Sequence, residues 1–303
     1  MSDSLSALEN VHDVLQALKD GGYHFRASAE ALERLKTTQM TSAKSATSMV
    51  AEPSPVASIR PSNAPSLTLS QNAAQSFQAM QAEISTPAPI RAPAVAGGAS
   101  KAERLTALRS PVLACTKCPQ LVTSRKHVVF GVGNPEAELM FIGDAPDSDE
   151  DLVGEPFVGK AGQLLTKIIE TMGLRRNDVY LVNLLKCRPN LPPGAGDKRK
   201  PTIGEIITCQ PYLMEQIKII EPRVIVALGS TAVDGLLGDP LPIAKVRGQW
   251  KSFLGTPLML TFHPAYLLRN QSLAEKRKVW EDMLQVLEKL GRPISEKQRG
   301  YFL

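Results

Sequence analysis

Four short apolar runs, separated by helical stretches, constrain the fold of this chain more than any other feature of its sequence. The runs are AELMFIG, VYLVNLL, RVIVALG and PLMLTF, at residues 137–143, 179–185, 223–229 and 257–262. Strands as continuously apolar as these are typical of a parallel sheet that is covered on both faces. Helical patterns are found near residues 160–173, 211–221, 230–237 and 272–290. The sequence therefore predicts an α/β fold, a three-layer α/β/α sandwich around a four-stranded parallel sheet.

The carboxyl ends of these strands are the expected location of a functional site. Ligands of open parallel sheets bind beyond the carboxyl ends of the strands, where the connecting loops meet. The first candidates for chemistry are therefore the residues that follow positions 143, 183, 229 and 262.

The first hundred residues are predicted to lie outside the folded domain. Residues 1–36 have apolar side chains at helical spacing, which predicts short amphipathic helices, although a weakly helical tail explains the pattern equally well. Residues 37–100 are rich in Ser, Ala and Pro and have too little apolar surface to offset the entropy of ordering, so we expect a disordered linker. The folded domain is predicted over residues 101–292, with 293–303 as a C-terminal tail.

The positive charge of the chain is concentrated in this predicted domain. Residues 101–303 hold 28 Lys and Arg against 22 Asp and Glu, whereas the whole chain has a net charge of +5. This excess suits a polyanionic partner such as nucleic acid, but many basic proteins bind none. The sequence shows no apolar run long enough to span a bilayer and no secretory signal pattern, so we expect a cytoplasmic protein.

The four cysteines are candidate metal ligands. They are Cys115, Cys118, Cys187 and Cys209. In a reducing cytoplasm such residues are more readily explained as ligands than as disulfides. Pro211 suits the first turn of a helix, so we expect Cys209 at a helix N-terminus, where the dipole favours a thiolate. Four thiolates suit zinc or a cubane iron–sulfur cluster, and their spacing does not decide between the two. Alternatively, Cys187 and Cys209 are small core residues and only the first pair binds metal.

Three segments at the predicted strand ends carry unusual polar and aromatic residues. They read GDAPDSDED (143–151) with GEPFVG (154–159) and a following Ala-Gly, VNLLKCRP (182–189), and FHPAYLLR (262–269). Together these segments resemble the motifs of the iron–sulfur, or family 4, uracil-DNA glycosylases, and the cysteines occur in the same order. The resemblance covers roughly residues 105–290, and the conjunction of motifs is far more specific than any one of them.

The resemblance implies an enzyme that flips uracil out of DNA and hydrolyses its bond to deoxyribose, leaving an abasic site. It implies that Phe157 stacks on the base, and the polar loop around this residue predicts a displayed ring rather than a buried one. It implies that Asn183 reads uracil, since its amide donates to O4 and accepts from N3–H. Cytosine presents the opposite pattern and would leave buried groups unpaired.

The resemblance also implies the groups that cleave the bond. His263 would donate to uracil O2 and stabilise the leaving anion. Asp144 and Glu150 would orient water beneath the sugar, and Ala145 would line the uracil pocket. Further along the chain, the family's DNA-contacting residues correspond to Leu267 or Leu268 as an apolar wedge and Arg269 on phosphate. The cysteines would hold a 4Fe–4S cluster, with zinc as the less favoured alternative.

Two residues depart from the family pattern, and one insertion stands out. Asp144 replaces the usual Glu, and Asp147 replaces the usual Gly; because Asp tolerates left-handed backbone, we expect the turn at Asp147 to survive. The basic insertion over residues 192–200 is either a phosphate contact or a solvated loop.

Two other functions remain open at this point. One is a relative that binds uracil-DNA covalently, although the basic inserted loop of that type is missing after Val158. The other is a non-catalytic nucleic-acid-binding module with a four-cysteine staple, which would bind DNA without producing abasic sites. For the leading function, the expected partner is uracil-containing DNA, either single- or double-stranded. The protein is expected to act as a monomer and to be associated with the nucleoid. The N-terminal tail would then recruit a repair or replication protein.

Overall fold

The computed structural model describes residues 98–190, 199–238 and 240–303. The helices predicted within residues 1–36, nearly all of the predicted linker and most of the basic insertion lie outside the described residues. No helix within the described ranges combines the length and the apolar character needed to cross a bilayer.

A six-stranded mixed sheet forms the centre of the fold. Its strands are β1 (Val132–Gly133), β2 (Leu139–Gly143), β3 (Tyr180–Asn183), β4 (Val224–Leu228), β5 (Trp250–Phe253) and β6 (Thr256–Thr261), in the order β1-β3-β2-β4-β6-β5. The four predicted strands, β3, β2, β4 and β6, are parallel, which confirms that part of the prediction. The antiparallel edge strands β1 and β5 were not predicted, because β1 has only two residues and the middle of β5 is exposed and polar.

Helices cover both faces of the sheet, so the three-layer architecture is confirmed. Successive residues of β2 alternate between two cores: Met140 and Ile142 pack with one cluster, and Leu139 and Phe141 pack with the other. The helices are α1 (Lys101–Leu113), α2 (Pro119–Val122), α3 (Ser148–Val153), α4 (Lys160–Thr171), α5 (Ile203–Ile220), α6 (Ser230–Leu237), α7 (Ile243–Val246), α8 (Pro264–Arg269), α9 (Leu273–Lys289) and α10 (Glu296–Arg299).

Helix α5 begins eight residues before the predicted start. Its N-cap is Thr202, whose side chain accepts from the Glu205 amide while the Glu205 carboxylate accepts from the Thr202 amide. Buried Glu205 also pairs with Arg199 at 2.6 Å. Pro211 therefore lies inside the helix and not in its first turn. As a result, the expectation that Cys209 lies at a helix N-terminus is wrong.

The C-terminal residues 293–303 pack against the domain. The Trp280 indole donates to the Gln298 carbonyl at 2.6 Å, and the Gln298 amide donates to the Thr171 carbonyl at 2.9 Å. The guanidinium of Arg277 donates to the Tyr301 carbonyl at 2.8 Å. This segment therefore joins α4 to α9 on one face of the sheet.

Candidate active site

The carboxyl ends of the four parallel strands meet at one edge of the sheet. Gly143 ends β2 and is paired in register with Asn183, which ends β3. Gly229 follows β4, and its amide donates to the Thr261 carbonyl at the end of β6 at 2.9 Å. His263 comes two residues later. The strand ends that the sequence indicated are therefore neighbours in space.

Gly143 lies where the Asn183 amide and the Phe157 ring meet. A Cβ atom on Gly143 would overlap Asn183 Oδ1 and would lie 2.6 Å from Phe157 Cζ. These separations are shorter than ordinary van der Waals contact. Because Gly143 has no side chain, the Asn183 and Phe157 side chains can both occupy the space next to it. Asn183 is buried here. Among the described residues, an amide and an aromatic ring are thus packed at the end of β2.

Phe157 is held in an unusual backbone conformation. Its φ is +56°, a left-handed value that is costly for an aromatic residue. The first turn of α4 packs directly on this backbone, because a Cβ on Gly162 would overlap the Phe157 carbonyl oxygen. The ring is only 5% exposed, so the expectation of a displayed ring is wrong.

Arg176, in a short 3₁₀ turn after α4, anchors the Phe157 loop. Its Nη2 donates to the Pro156 carbonyl at 2.7 Å, and its Nη1 donates to Thr166 Oγ1 at 3.2 Å. Burial lowers the pKa of this guanidinium, and the nearby Glu155 carboxylate opposes that effect. The residue before Phe157 is therefore tied to a half-buried cation.

His263 is the N-cap of α8, and its ring is oriented by the helix backbone. The Ala265 amide donates to Nδ1 at 3.1 Å, which assigns the proton of the neutral ring to Nε2. The ring centroid lies 6.3 Å from that of Phe157. Gly229 permits this position, since a Cβ there would lie 2.9 Å from His263 Cβ. The imidazole thus presents an N–H donor beside the amide and the aromatic ring.

Asp144 follows β2 and faces the same space. Its Oδ1 lies 3.9 Å from His263 Nε2 and accepts from the Ala145 amide at 2.9 Å. The side chain is 38% exposed, so this carboxylate can reach solvent and a ligand at once. Ala145 is partly buried against the core beneath it.

Glu150 is buried and bound to the backbone of its own loop. One of its carboxylate oxygens accepts from the Asp147 amide at 2.6 Å, and the other from the Gly159 amide at 3.5 Å. Asp147 is the N-cap of α3 and has an extended φ of −93°, so the expected left-handed turn is wrong. Asp147 and Glu150 instead form a capping box.

The loop after His263 separates into a packing side and an exposed side. Leu267 is buried against Phe262 and Val279. Leu268 is 37% exposed, and Arg269 is exposed beside it. The geometry therefore favours Leu268 over Leu267 as a residue that could contact a ligand.

The four cysteines are free thiols that line one common cavity. Arg125 holds two of them, since its Nη1 donates to Cys187 Sγ at 3.0 Å and its Nη2 to the Cys115 carbonyl at 2.7 Å. Burial raises the pKa of Cys118 to about 11 and that of Cys209 to about 12. A metal that accepts the sulfur lone pair would offset that cost. Among the described residues, however, no three potential ligands are grouped tightly enough to hold a single metal ion.

Lys186 joins this cavity to the strand ends. The lysine is fully buried, and its Nζ donates to the Asn183 carbonyl at 3.0 Å, while its amide donates to Cys209 Sγ at 3.2 Å. Burial lowers its pKa to about 7, opposed by Cys209 and Cys187.

Sequence reasoning missed the supporting roles of several site residues. Lys186 lies within the VNLLKCRP segment, next to Cys187, and that position was the signal for a buried partner. Arg125 and Arg176 lie outside the three motif segments, and nothing in their neighbourhood distinguishes them from surface arginines.

Comparison with known proteins assigns the family. The profile of the Uracil DNA glycosylase superfamily matches residues 130–284. The Type-4 uracil-DNA glycosylase of Thermotoga maritima is 43% identical over 186 residues, which are 61% of this chain and 93% of that protein. Its counterpart in Archaeoglobus fulgidus is 36% identical over 210 residues, which are 66% of this chain and 98% of that protein. The chain therefore belongs to the uracil DNA glycosylase superfamily, among the type-4 uracil-DNA glycosylases.

Proposed function

We propose that this chain is a monofunctional uracil-DNA glycosylase, a DNA repair enzyme that hydrolyses the N-glycosidic bond of a uracil flipped out of DNA. One observation carries the proposal: Phe157, Asn183 and His263, which come from separate segments, gather at one edge of the sheet. An aromatic face, an amide and an N–H donor are the groups needed to grip a single pyrimidine.

Base selection rests on Asn183. Its amide donates to uracil O4 and accepts from N3–H, whereas cytosine offers a donor and an acceptor in the reverse order. Because Asn183 is buried, the wrong base leaves polar groups unpaired, which rejects an analogue by about 10⁴-fold or more. Since Phe157 is also buried, a base reaches its face only when neighbouring side chains move.

Bond cleavage rests on His263 and Asp144. As the bond between C1′ and N1 breaks, its electron pair moves to uracil, and the Nε2–H of His263 donates to O2 of the forming anion. Asp144 orients the attacking water and offsets the positive charge on the sugar. Glu150 supports this step by fixing the loop that carries Asp144, since backbone amides bind its oxygens.

The cysteines hold a 4Fe–4S cluster in this proposal. All four cysteines line one cavity, so Cys115, Cys118, Cys187 and Cys209 would supply the four thiolate ligands of the cluster. Hydrolysis needs no electron transfer, so the group supplies structural support.

The DNA strand is contacted by the loop that follows His263. Exposed Leu268 fills the space that the flipped base vacates, and Arg269 meets backbone phosphate. Buried Leu267 keeps α8 in place, so its substitution disturbs packing first. One chain supplies every group named in this mechanism, which supports action as a monomer.

The proposal is tested with the full-length protein and a DNA oligonucleotide that contains one uracil. After incubation, alkali cleaves the strand wherever an abasic site has formed. We expect cleavage at the uracil position and none in matched oligonucleotides that contain cytosine or thymine there. DNA binding without abasic sites would instead establish the non-catalytic module, and a covalent adduct would establish the other alternative.

The cluster gives a second prediction. Freshly purified protein should be brown and should contain iron and acid-labile sulfide in equal amounts. Cys187→Ser should lower the content of both and reduce the melting temperature, because the cluster then has no thiolate to join it to the end of β3. Ser110→Ala, an exposed change on α1, is the matched control and should keep both. A colourless protein with stoichiometric zinc and no sulfide would contradict the assignment.

Arg176 gives a third prediction. Arg176→Met should lower kcat/KM for uracil excision about tenfold and weaken inhibition by free uracil, because the Phe157 loop loses its anchor to the Pro156 carbonyl. Arg175→Met is the matched control: that side chain is 85% exposed and pairs only with neighbouring Asp178 among the described residues. Equal effects of the two substitutions, or unchanged inhibition by uracil in Arg176→Met, would show that the anchor does not act through Phe157.

A further inference from the structure

An open cavity of about 450 Å³ lies next to the loop that carries Asp144 and Phe157. Three elements form it: the end of α1, the segment before β1, and the turn after α3. Its cationic lining comes from Arg109, Arg125 and Lys126, and Glu155 contributes a carboxylate. The proposed mechanism uses none of these side chains on substrate.

The cavity lies near the edge of the sheet that carries the proposed uracil pocket. The Val129 amide donates to the Lys186 carbonyl at 2.7 Å, so the segment before β1 runs beside the chain that has just left Asn183. The buried Asp151 carboxylate of α3 accepts from the amides of Lys126 and His127, at 2.9 and 3.2 Å. Helix α3 therefore separates the cavity from Asp144, and six helical residues span only about 9 Å.

The cationic groups of the cavity differ in the contacts that they make with the rest of the protein. Arg125 is bound to Cys187 and to the Cys115 carbonyl. Arg109 is exposed and rests over the Phe130 ring at 5.7 Å, a contact that leaves its N–H groups in solvent. Lys126 is also exposed. Arg109 and Lys126 can therefore pair with an anion without breaking a buried contact.

The rim of the cavity is partly apolar. Leu113 and Val153, which line it, are 41% and 58% exposed, although such side chains are usually buried. Cations beside apolar groups suit a chain that alternates phosphates with sugars and flat bases. A small free anion would use the cations but would leave the rim in water.

We propose that this cavity binds a backbone phosphate of the DNA strand that carries the flipped uracil, a few nucleotides from it. The identity of the strand rests on the proposed function, whereas the existence of the phosphate site does not. The contact fixes the register of the strand on the enzyme and carries no sequence information.

The test compares two doubly substituted full-length proteins. Arg109→Ala/Lys126→Ala removes the two available cations of the cavity. Lys251→Ala/Lys297→Ala removes the same charge from exposed positions in β5 and α10. Affinity for a fluorescent single-stranded oligonucleotide is measured by anisotropy over a range of salt concentrations, once with uracil and once without. Melting temperatures of both proteins show whether they remain folded.

We expect the cavity variant to bind about tenfold more weakly at low salt, with or without uracil in the strand. The slope of log affinity against log salt should become shallower by about 0.7 for each phosphate that the variant no longer neutralises. The control variant should change affinity less than about twofold. Equally weakened binding in the two variants would overturn the proposal, since the effect would then be net charge alone.

A second measurement locates the phosphate. Single methylphosphonate linkages, which carry no charge, are moved along the strand on both sides of the uracil. In the wild-type protein one or two positions should weaken binding, and at those positions the cavity variant should weaken no further. Positions that weaken both proteins equally would place the contact elsewhere. If inorganic phosphate competes but no linkage position matters, the cavity takes a free phosphorylated ligand and the proposal fails. If the wild-type protein fails to excise uracil, the proposed function is contradicted. The binding results with the methylphosphonate strands still decide whether the phosphate site exists.

Discussion

Replacing His263 by alanine is expected to lower kcat for uracil excision by about 10²–10³-fold. In the proposed mechanism the substitution removes the donor that meets charge on uracil O2 as the bond breaks, and losing one such donor typically costs this much in rate. The Ala265 amide fixes the proton on Nε2, so the donor needs no reorientation during the reaction. Single-turnover kinetics with a uracil oligonucleotide measure the effect on the chemical step.

The leaving group provides the control for this prediction. 5-Fluorouracil forms a more stable anion than uracil, so the defect of His263→Ala should be smaller with a fluorouracil substrate. Affinity for uracil-free DNA should stay near the wild-type value. The melting temperature should fall only slightly, because the substitution removes the side-chain cap of α8 but leaves the apolar core intact. A defect of equal size with both bases would show that His263 does not act on the leaving group.

The position of the candidate active site could be predicted because it follows from sheet topology. Asn183 and His263 lie at the ends of apolar strands, and parallel strands bring their carboxyl ends to one edge. A short-range pattern was therefore enough to find residues that are far apart in sequence. The antiparallel strands β1 and β5 lie at the margins and carry no such apolar run, so they were missed.

Other features depended on tertiary contacts that no local pattern encodes. The polar sequence around Phe157 predicted an exposed loop. In the structure the loop packs on Gly162, and Arg176 donates to the Pro156 carbonyl, so that Phe157 is buried. Pro211 favoured a helix start, but the capping box at Thr202 begins α5 earlier and the helix accommodates the proline inside. The sequence does contain the Thr-x-x-Glu pattern of a capping box, at Thr202 and Glu205, but the prediction placed the helix start at Pro211 instead.

Gly143→Ala is expected to lower kcat/KM for uracil excision by about 10²-fold. The new methyl group would overlap Asn183 Oδ1 and would lie 2.6 Å from Phe157 Cζ, so both side chains must move. Displacements of about 1 Å at a reacting centre can cost this much in rate. Overpacking should also reduce the free energy of unfolding by about 1–3 kcal/mol.

Gly204→Ala is the matched control for this substitution. A Cβ there meets no atom within 4 Å, and the residue lies in helix α5 with no left-handed φ. It should keep wild-type activity and raise the free energy of unfolding by up to about 1 kcal/mol, since alanine is the better helix former. Parallel melting curves of the two variants then separate a general effect of the methyl group from its effect at the site.

A double-mutant cycle tests whether Gly143 acts through Asn183. Asn183→Ala alone should abolish most of the preference for uracil, because the pocket then loses the amide that is proposed to read the base. If the methyl group at position 143 acts by displacing that amide, then adding Asn183→Ala to Gly143→Ala should cost little further activity. Fully additive effects would mean that the methyl group acts elsewhere, on the Phe157 ring or on the strand itself. The same measurement with Gly204→Ala as the background should give the full effect of Asn183→Ala, since a methyl group at position 204 touches nothing in the pocket.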